Sequence, residues 1–127
     1  GVAYGMLGIE ADAPRARLRL RPQVPAAWDR LEAERIRIGD AELRLTYARL
    51  ESRHRFTLEP LAGAVPLRVV LEAAISGAPS AVRGTWVDGR VASLDLRSWG
   101  ERTLVPVQLV LDDRRVLEVE VEPPAGR

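Results

Sequence analysis

Along most of the chain apolar and polar residues alternate with a period of two, the pattern of strands with one buried and one solvated face. Ala16-Arg17-Leu18-Arg19-Leu20-Arg21 alternates without a break until Pro22 and Pro25 close it. After Trp28-Asp29, the segment from Leu31 to Ile38 alternates but changes phase between Ala33 and Ile36, which predicts a bulge. Gly39-Asp40 predicts a tight turn into a strand with Leu43, Leu45 and Tyr47 on one face and Glu42, Arg44 and Thr46 on the other. His54, Phe56 and Leu58 then fall in phase on an inward face, with Arg53, Arg55 and Thr57 outside. Leu67 to Ala74 reads as a more continuous apolar strand, broken by Gly77-Ala78-Pro79-Ser80.

The second half repeats this logic. Val82 to Val87 and Val91 to Leu96 flank Asp88-Gly89, the strongest hairpin signal in the chain. Trp86 lies within the first of these arms and is expected in the core. Ser98-Trp99-Gly100-Glu101 predicts a loop, and Leu104 to Leu111 a strand whose Pro106 places it at a sheet edge. Asp112 to Arg115 predicts a turn into the alternating run Val116 to Glu122, and Pro123-Pro124 ends the order. Roughly nine strands of ordinary length result, without sustained helical periodicity, linker or internal repeat. The expected fold is all-β: an antiparallel two-sheet β-sandwich, jelly-roll-like, in one domain over residues 1–127.

Composition supports a packed core. Val, Leu, Ile and Phe make up 36 of 127 residues, above the roughly 20% that marks disordered chains. Nineteen basic residues, all Arg, face eighteen acidic ones, a formal net charge of +1. Such balance argues against a nucleic-acid partner, which needs an uncompensated basic face. The absence of Cys excludes a disulfide framework and thiolate chemistry and fits a reducing compartment, the cytoplasm. No apolar run approaches the roughly 18 residues of a membrane-spanning helix.

Candidate chemistry is sparse. His54 is the only histidine, so a nucleophilic triad or a metal site would have to be built on it; its phase with Phe56 and Leu58 points instead to a partly buried structural role. Asp112-Asp113 lies in a turn and Glu118, Glu120 and Glu122 on a solvated strand face, where carboxylates need no catalytic reason. Arg15, Arg17, Arg19 and Arg21 project from one strand face, either as an anion-docking stripe or as the partners of Glu118, Glu120 and Glu122. The second reading makes the first and last strands neighbours in one sheet. No cofactor, catalytic or metal residue is assigned. Of the three tryptophans, Trp99 sits beside Gly100 in a loop and is the one candidate for stacking on sugar.

The order of pieces resembles a known junction. Gly5-Met6-Leu7-Gly8-Ile9-Glu10-Ala11-Asp12-Ala13-Pro14, then Ala16 to Pro22, then Val24-Pro25-Ala26-Ala27-Trp28 is similar to the passage from the last barrel helix into the C-terminal β-sandwich of bacterial (α/α)6-barrel glycoside hydrolases. The glycogen debranching, amylo-α-1,6-glucosidase type is similar in this pattern. Leu31 to Tyr47, Val87-Asp88-Gly89 and the Val107 to Val121 hairpin continue the likeness, and maltose phosphorylase-type enzymes share a similar strand pattern.

The resemblance implies a non-catalytic accessory domain, since the catalytic carboxylates of such enzymes reside on the barrel. It further implies that residues 1–10 are the remnant of that barrel. The expected partner is the catalytic barrel domain of the parent chain, met through Tyr4, Met6, Leu7 and Trp28, or covered by self-association in the isolated piece. Two other readings stay open: a free-standing carbohydrate-binding or adhesion module that takes α-glucan, and a small hydrolase built around His54, which requires a pocket holding His54 and a carboxylate.

Overall fold

A computed structural model describes residues 8–15, 17–25, 27–62 and 67–122; the side chains of Ala13, Glu34, Arg35 and Ala62 also lie outside the description. Eleven strands run in chain order: β1 (Glu10–Asp12), β2 (Arg17–Leu20), β3 (Arg30–Ile38), β4 (Ala41–Leu50), β5 (Arg53–Ala62), β6 (Leu67–Ser76), β7 (Val82–Val87), β8 (Arg90–Val91), β9 (Arg97–Trp99), β10 (Arg102–Leu111) and β11 (Arg115–Val121). They form two packed sheets, a five-stranded one ordered β1-β2-β6-β10-β9 and a six-stranded one ordered β3-β4-β5-β11-β7-β8. The expected two-sheet sandwich is therefore present. From β5 onward the chain changes sheet at each long connection, which gives the jelly-roll-like character. One pair departs from the antiparallel rule: β2 runs parallel to β6.

Alternation decides the layers. Leu18, Leu20, Val69, Leu71, Ala73, Val105 and Leu111 of the five-stranded sheet meet Leu43, Leu45, Phe56, Leu58, Leu117 and Val119 of the six-stranded sheet in one buried core. The phase change in β3 is a real register shift between Ala33 and Ile36, which keeps Leu31, Ala33, Ile36 and Ile38 all inward. Gly39 has φ 58°, and Asp88 and Gly89 have φ 53° and 81°, the paired left-handed residues that a two-residue hairpin turn needs.

Four expectations are corrected. The second arm of the Asp88-Gly89 hairpin is only β8; the chain then crosses between sheets, laying partly buried Leu94 and Leu96 against the core while Val91 stays exposed. Ser98 and Trp99 belong to β9, so the loop shrinks to a turn at Gly100-Glu101, with Arg102 opposite Trp99. Trp86 is not in the core: it lies opposite Glu118 on the outer face, between Gly84 and the Arg53 guanidinium, 4.4 Å from its ring centroid. The strand of Pro106 is not the expected edge strand, since β10 lies between β6 and β9, but the β9 pairing ends at Leu104 and leaves the side beyond it, where Pro106 stands, open.

The predicted pairing of the Arg15–Arg21 row with the glutamate row is also overturned. β2 and β11 lie in different sheets. Glu118 and Glu120 pair with Arg53 and Arg55 of the adjacent β5, and Glu122 with Arg83. The arginines of that row turn to other acids: Arg15 to Asp12, Arg19 to Glu10 and Glu72, and Arg21, just beyond β2, to Glu72.

Candidate functional site at one end of the sandwich

Arginine and glutamate cover most of the outer face of the six-stranded sheet, so the features with unspent chemistry collect at one end of the molecule. There β2, β4 and β6 finish and β5, β7 and β10 begin. A cavity of about 820 Å³ opens between the loop at Val24, Pro25 and Asp29, the β4–β5 turn and the end of β11. Tyr47, Arg49, His54 and Phe56 line it from the inward face of the β4–β5 hairpin, where Arg49 faces His54 and Tyr47 faces Phe56 in register. Glu51, with φ 59°, closes that hairpin.

Two polar pairs organise the cavity. Tyr47 Oη lies 2.6 Å from His54 Nδ1, and the phenol ring packs on Phe56 at 4.9 Å between centroids. Burial, reinforced by the Arg49 guanidinium, lowers the His54 pKa to about 4, so at neutral pH the imidazole carries no charge. Burial also raises the Tyr47 pKa, with Asp29 adding to the rise and Arg49 opposing it. The phenol therefore keeps its proton and donates to Nδ1, which leaves the imidazole proton on Nε2. The second pair is Arg49 with Asp29, joined through both side chains and through the backbone, where Arg49 N–H donates to Asp29 O at 2.8 Å.

The cavity thus holds His54 together with carboxylates, the placement that the hydrolase reading required. Its wiring is different. The imidazole is bound to a phenol and Asp29 to a guanidinium, and among the described residues Ser52 makes no side-chain hydrogen bond with His54. General-base catalysis needs the base coupled to its nucleophile. No cluster of three or more His, Asp or Glu side chains that could hold a metal occurs among the described residues.

Two large apolar side chains are exposed at this end, outside the cavity lining. Trp28 is 44% exposed and Leu50 47%. Trp28 precedes Asp29, Leu50 follows Arg49, and those two neighbours are hydrogen-bonded through the backbone. Leu50 was not singled out from the sequence; its signal is phase, since it breaks the inward series Leu43, Leu45, Tyr47, Arg49. Gly8 packs against Arg21, and Val121 and Glu122 hydrogen-bond to Ser52 and Ala81, so the described chain both enters and leaves at this end. Tyr4, Met6 and Leu7, the other expected contact residues, lie outside the described residues.

The remaining tryptophans are elsewhere. Trp99 stands on the outer face of the five-stranded sheet beneath the Arg21 guanidinium, 5.2 Å from its centroid. Trp86 is on the opposite face under Arg53. Among the described residues the three indoles therefore share no face and form no common stacking platform. Neither protein-family models nor curated proteins match this chain.

Proposed function

We propose that the chain is an accessory β-sandwich domain of a carbohydrate-active hydrolase, related to the glycogen debranching type, that seats on a catalytic (α/α)6 barrel through the end bearing Trp28 and Leu50. One observation carries the reading: two large apolar side chains stand exposed at the end where the chain enters, each next in sequence to one of the backbone-bonded residues Asp29 and Arg49. Removing both from water stabilises a junction by about 2–4 kcal/mol, and the Asp29–Arg49 pair beside them supplies a polar rim. The sequence resemblance runs into the same end through Val24-Pro25-Ala26-Ala27-Trp28. A domain in this role needs no charged ligand face on its six-stranded sheet, where arginines and glutamates neutralise one another. A cytoplasmic setting fits a chain without Cys.

The test is the polypeptide encoded immediately before residue 1. The expected result is a helical barrel carrying a glycosidase carboxylate pair; a different class of domain there overturns the proposal. Trp28 also keeps an alternative in view, a free-standing carbohydrate-binding or adhesion module. Titrating the chain with maltohexaose while following indole fluorescence separates the two: a flat response is expected, and a saturable one favours the sugar-binding module.

A further inference from the structure

The two outer faces of this sandwich differ in how their arginines are matched. On the six-stranded sheet the rows interlock: Arg37 with Glu42, Arg44 with Glu59, Arg53 and Arg55 with Glu118 and Glu120. On the five-stranded sheet, Arg17, Arg19, Arg21, Arg68, Arg97 and Arg102 face outward with only Glu10, Asp12 and Glu72 among them. Buried Glu72 is shared by three guanidinium groups, Arg21 at 3.0 Å, Arg19 at 3.6 Å and Arg97 at 3.7 Å. Arg17 and Arg68 stand directly opposite each other across the parallel β2–β6 pair, both exposed. Neither has an ion-pair partner among the described residues: Asp12, across from Arg17, pairs with Arg15 instead. Arg30, Arg90 and Arg114 also lack one, but each stands apart at a strand end or turn, and Arg102, likewise without an ion pair, donates to the Val24 and Ala74 carbonyls.

Like charges facing each other on neighbouring strands are unfavourable and usually avoided. Here they border a groove of about 870 Å³ whose walls also include Arg19, Val70, Gln108, the 44%-exposed Val110, and two carboxylates already matched within the chain, Glu10 by Arg19 and Asp12 by Arg15. We propose that this groove binds an extended acidic segment of a partner protein, its carboxylates on Arg17 and Arg68 and its alternate apolar side chains on Val70 and Val110. Three features of the groove choose that occupant. Guanidinium groups match carboxylates, and the same face already gathers three of them around the Glu72 carboxylate. Arg17 and Arg68 stand on adjoining strands, about 5 Å apart along the hydrogen-bonding direction, so one extended segment reaches both. The molecule itself demonstrates the match, with Arg53 and Arg55 complemented by Glu118 and Glu120 on the next strand. A second copy is a poor occupant, because a two-fold contact would set the cationic surplus against itself. The proposal concerns a different face from the Trp28 end and stands or falls separately.

The test is fluorescence anisotropy of a labelled peptide of alternating Glu and Val at low ionic strength, with a Lys–Val peptide as control. Saturable binding of the acidic peptide alone is expected, falling steeply with salt. The double variant Arg17→Gln, Arg68→Gln weakens it by roughly tenfold or more, whereas Arg83→Gln on the opposite sheet does not. Because the two arginines oppose each other, the double variant melts no lower than the parent, so lost binding is not lost folding. Absence of binding, equal binding by the double variant, or tighter binding of dextran sulfate or anionic vesicles to the same arginines overturns the assignment.

Discussion

His54 offers a clean thermodynamic handle because it is the only histidine in the chain. Its pKa falls from 6.5 to about 4 on folding, so the folded state resists a proton that the unfolded chain takes up. The contribution of neutral His54 is complete above pH 6.5 and is lost as the pH falls toward about 4, below which both states are charged. At about 1.4 kcal/mol per pH unit the full shift corresponds to about 3 kcal/mol; partial exposure of the ring reduces this to about 2 kcal/mol. The perturbation is His54→Gln, and the assay is urea unfolding followed by indole fluorescence between pH 7.5 and 4.5. Carboxylates titrate in both proteins, so the difference between the two curves isolates the imidazole. Parent stability should fall relative to the variant by about 2 kcal/mol across that range. Parallel curves would refute the burial of a neutral His54 beneath Tyr47.

At the other end of the scale, the raised Tyr47 pKa means that stability is retained below pH 10 and lost as the pH rises beyond it; Tyr47→Phe should flatten the alkaline limb of the unfolding profile. Glu72→Gln, at a side chain only 6% exposed among three arginines, should cost about 1–3 kcal/mol in urea unfolding, and an unchanged midpoint would show that the cluster is not held by charge. Gly84→Ala places a Cβ 2.6 Å from the Trp86 ring, so it should displace the indole from beneath Arg53, shift the emission spectrum and cost about 1–2 kcal/mol.

What the sequence made legible was what local rules control. Alternation placed Leu43, Leu45, Tyr47, Phe56 and Leu58 inward, the phase slip located the β3 bulge, and Asp88-Gly89 located a hairpin turn, because each depends on neighbours in the chain. Partnership between distant strands was not legible. An Arg-x-Arg row is satisfied by any Glu-x-Glu row, so Arg17 and Arg19 were matched with Glu118 and Glu120 on charge alone, although Arg53 and Arg55 hold those glutamates. Trp86 misled for a related reason. On a period of two, Val82, Gly84 and Trp86 form a more apolar set than Arg83, Thr85 and Val87, so alternation points the indole inward, whereas the space above Gly84 together with the Arg53 guanidinium draws it outward.

The end cavity shows the same limit. His54 was assigned to a partly buried strand position by phase, and it occupies one. Its bond to Tyr47, the Asp29–Arg49 pair and the exposed Leu50 arise where a loop and two strand ends converge, and no periodic pattern encodes that meeting.

The central claim, that the Trp28 end seats on a neighbouring domain, is tested most directly by hydrogen–deuterium exchange on the isolated chain and on the longer polypeptide that contains it. The account predicts added protection in the longer form at residues 24–29, 49–54 and 121–122, with the outer face of the six-stranded sheet unchanged. Equal exchange of those segments in both forms, or added protection confined to that outer face, would contradict it.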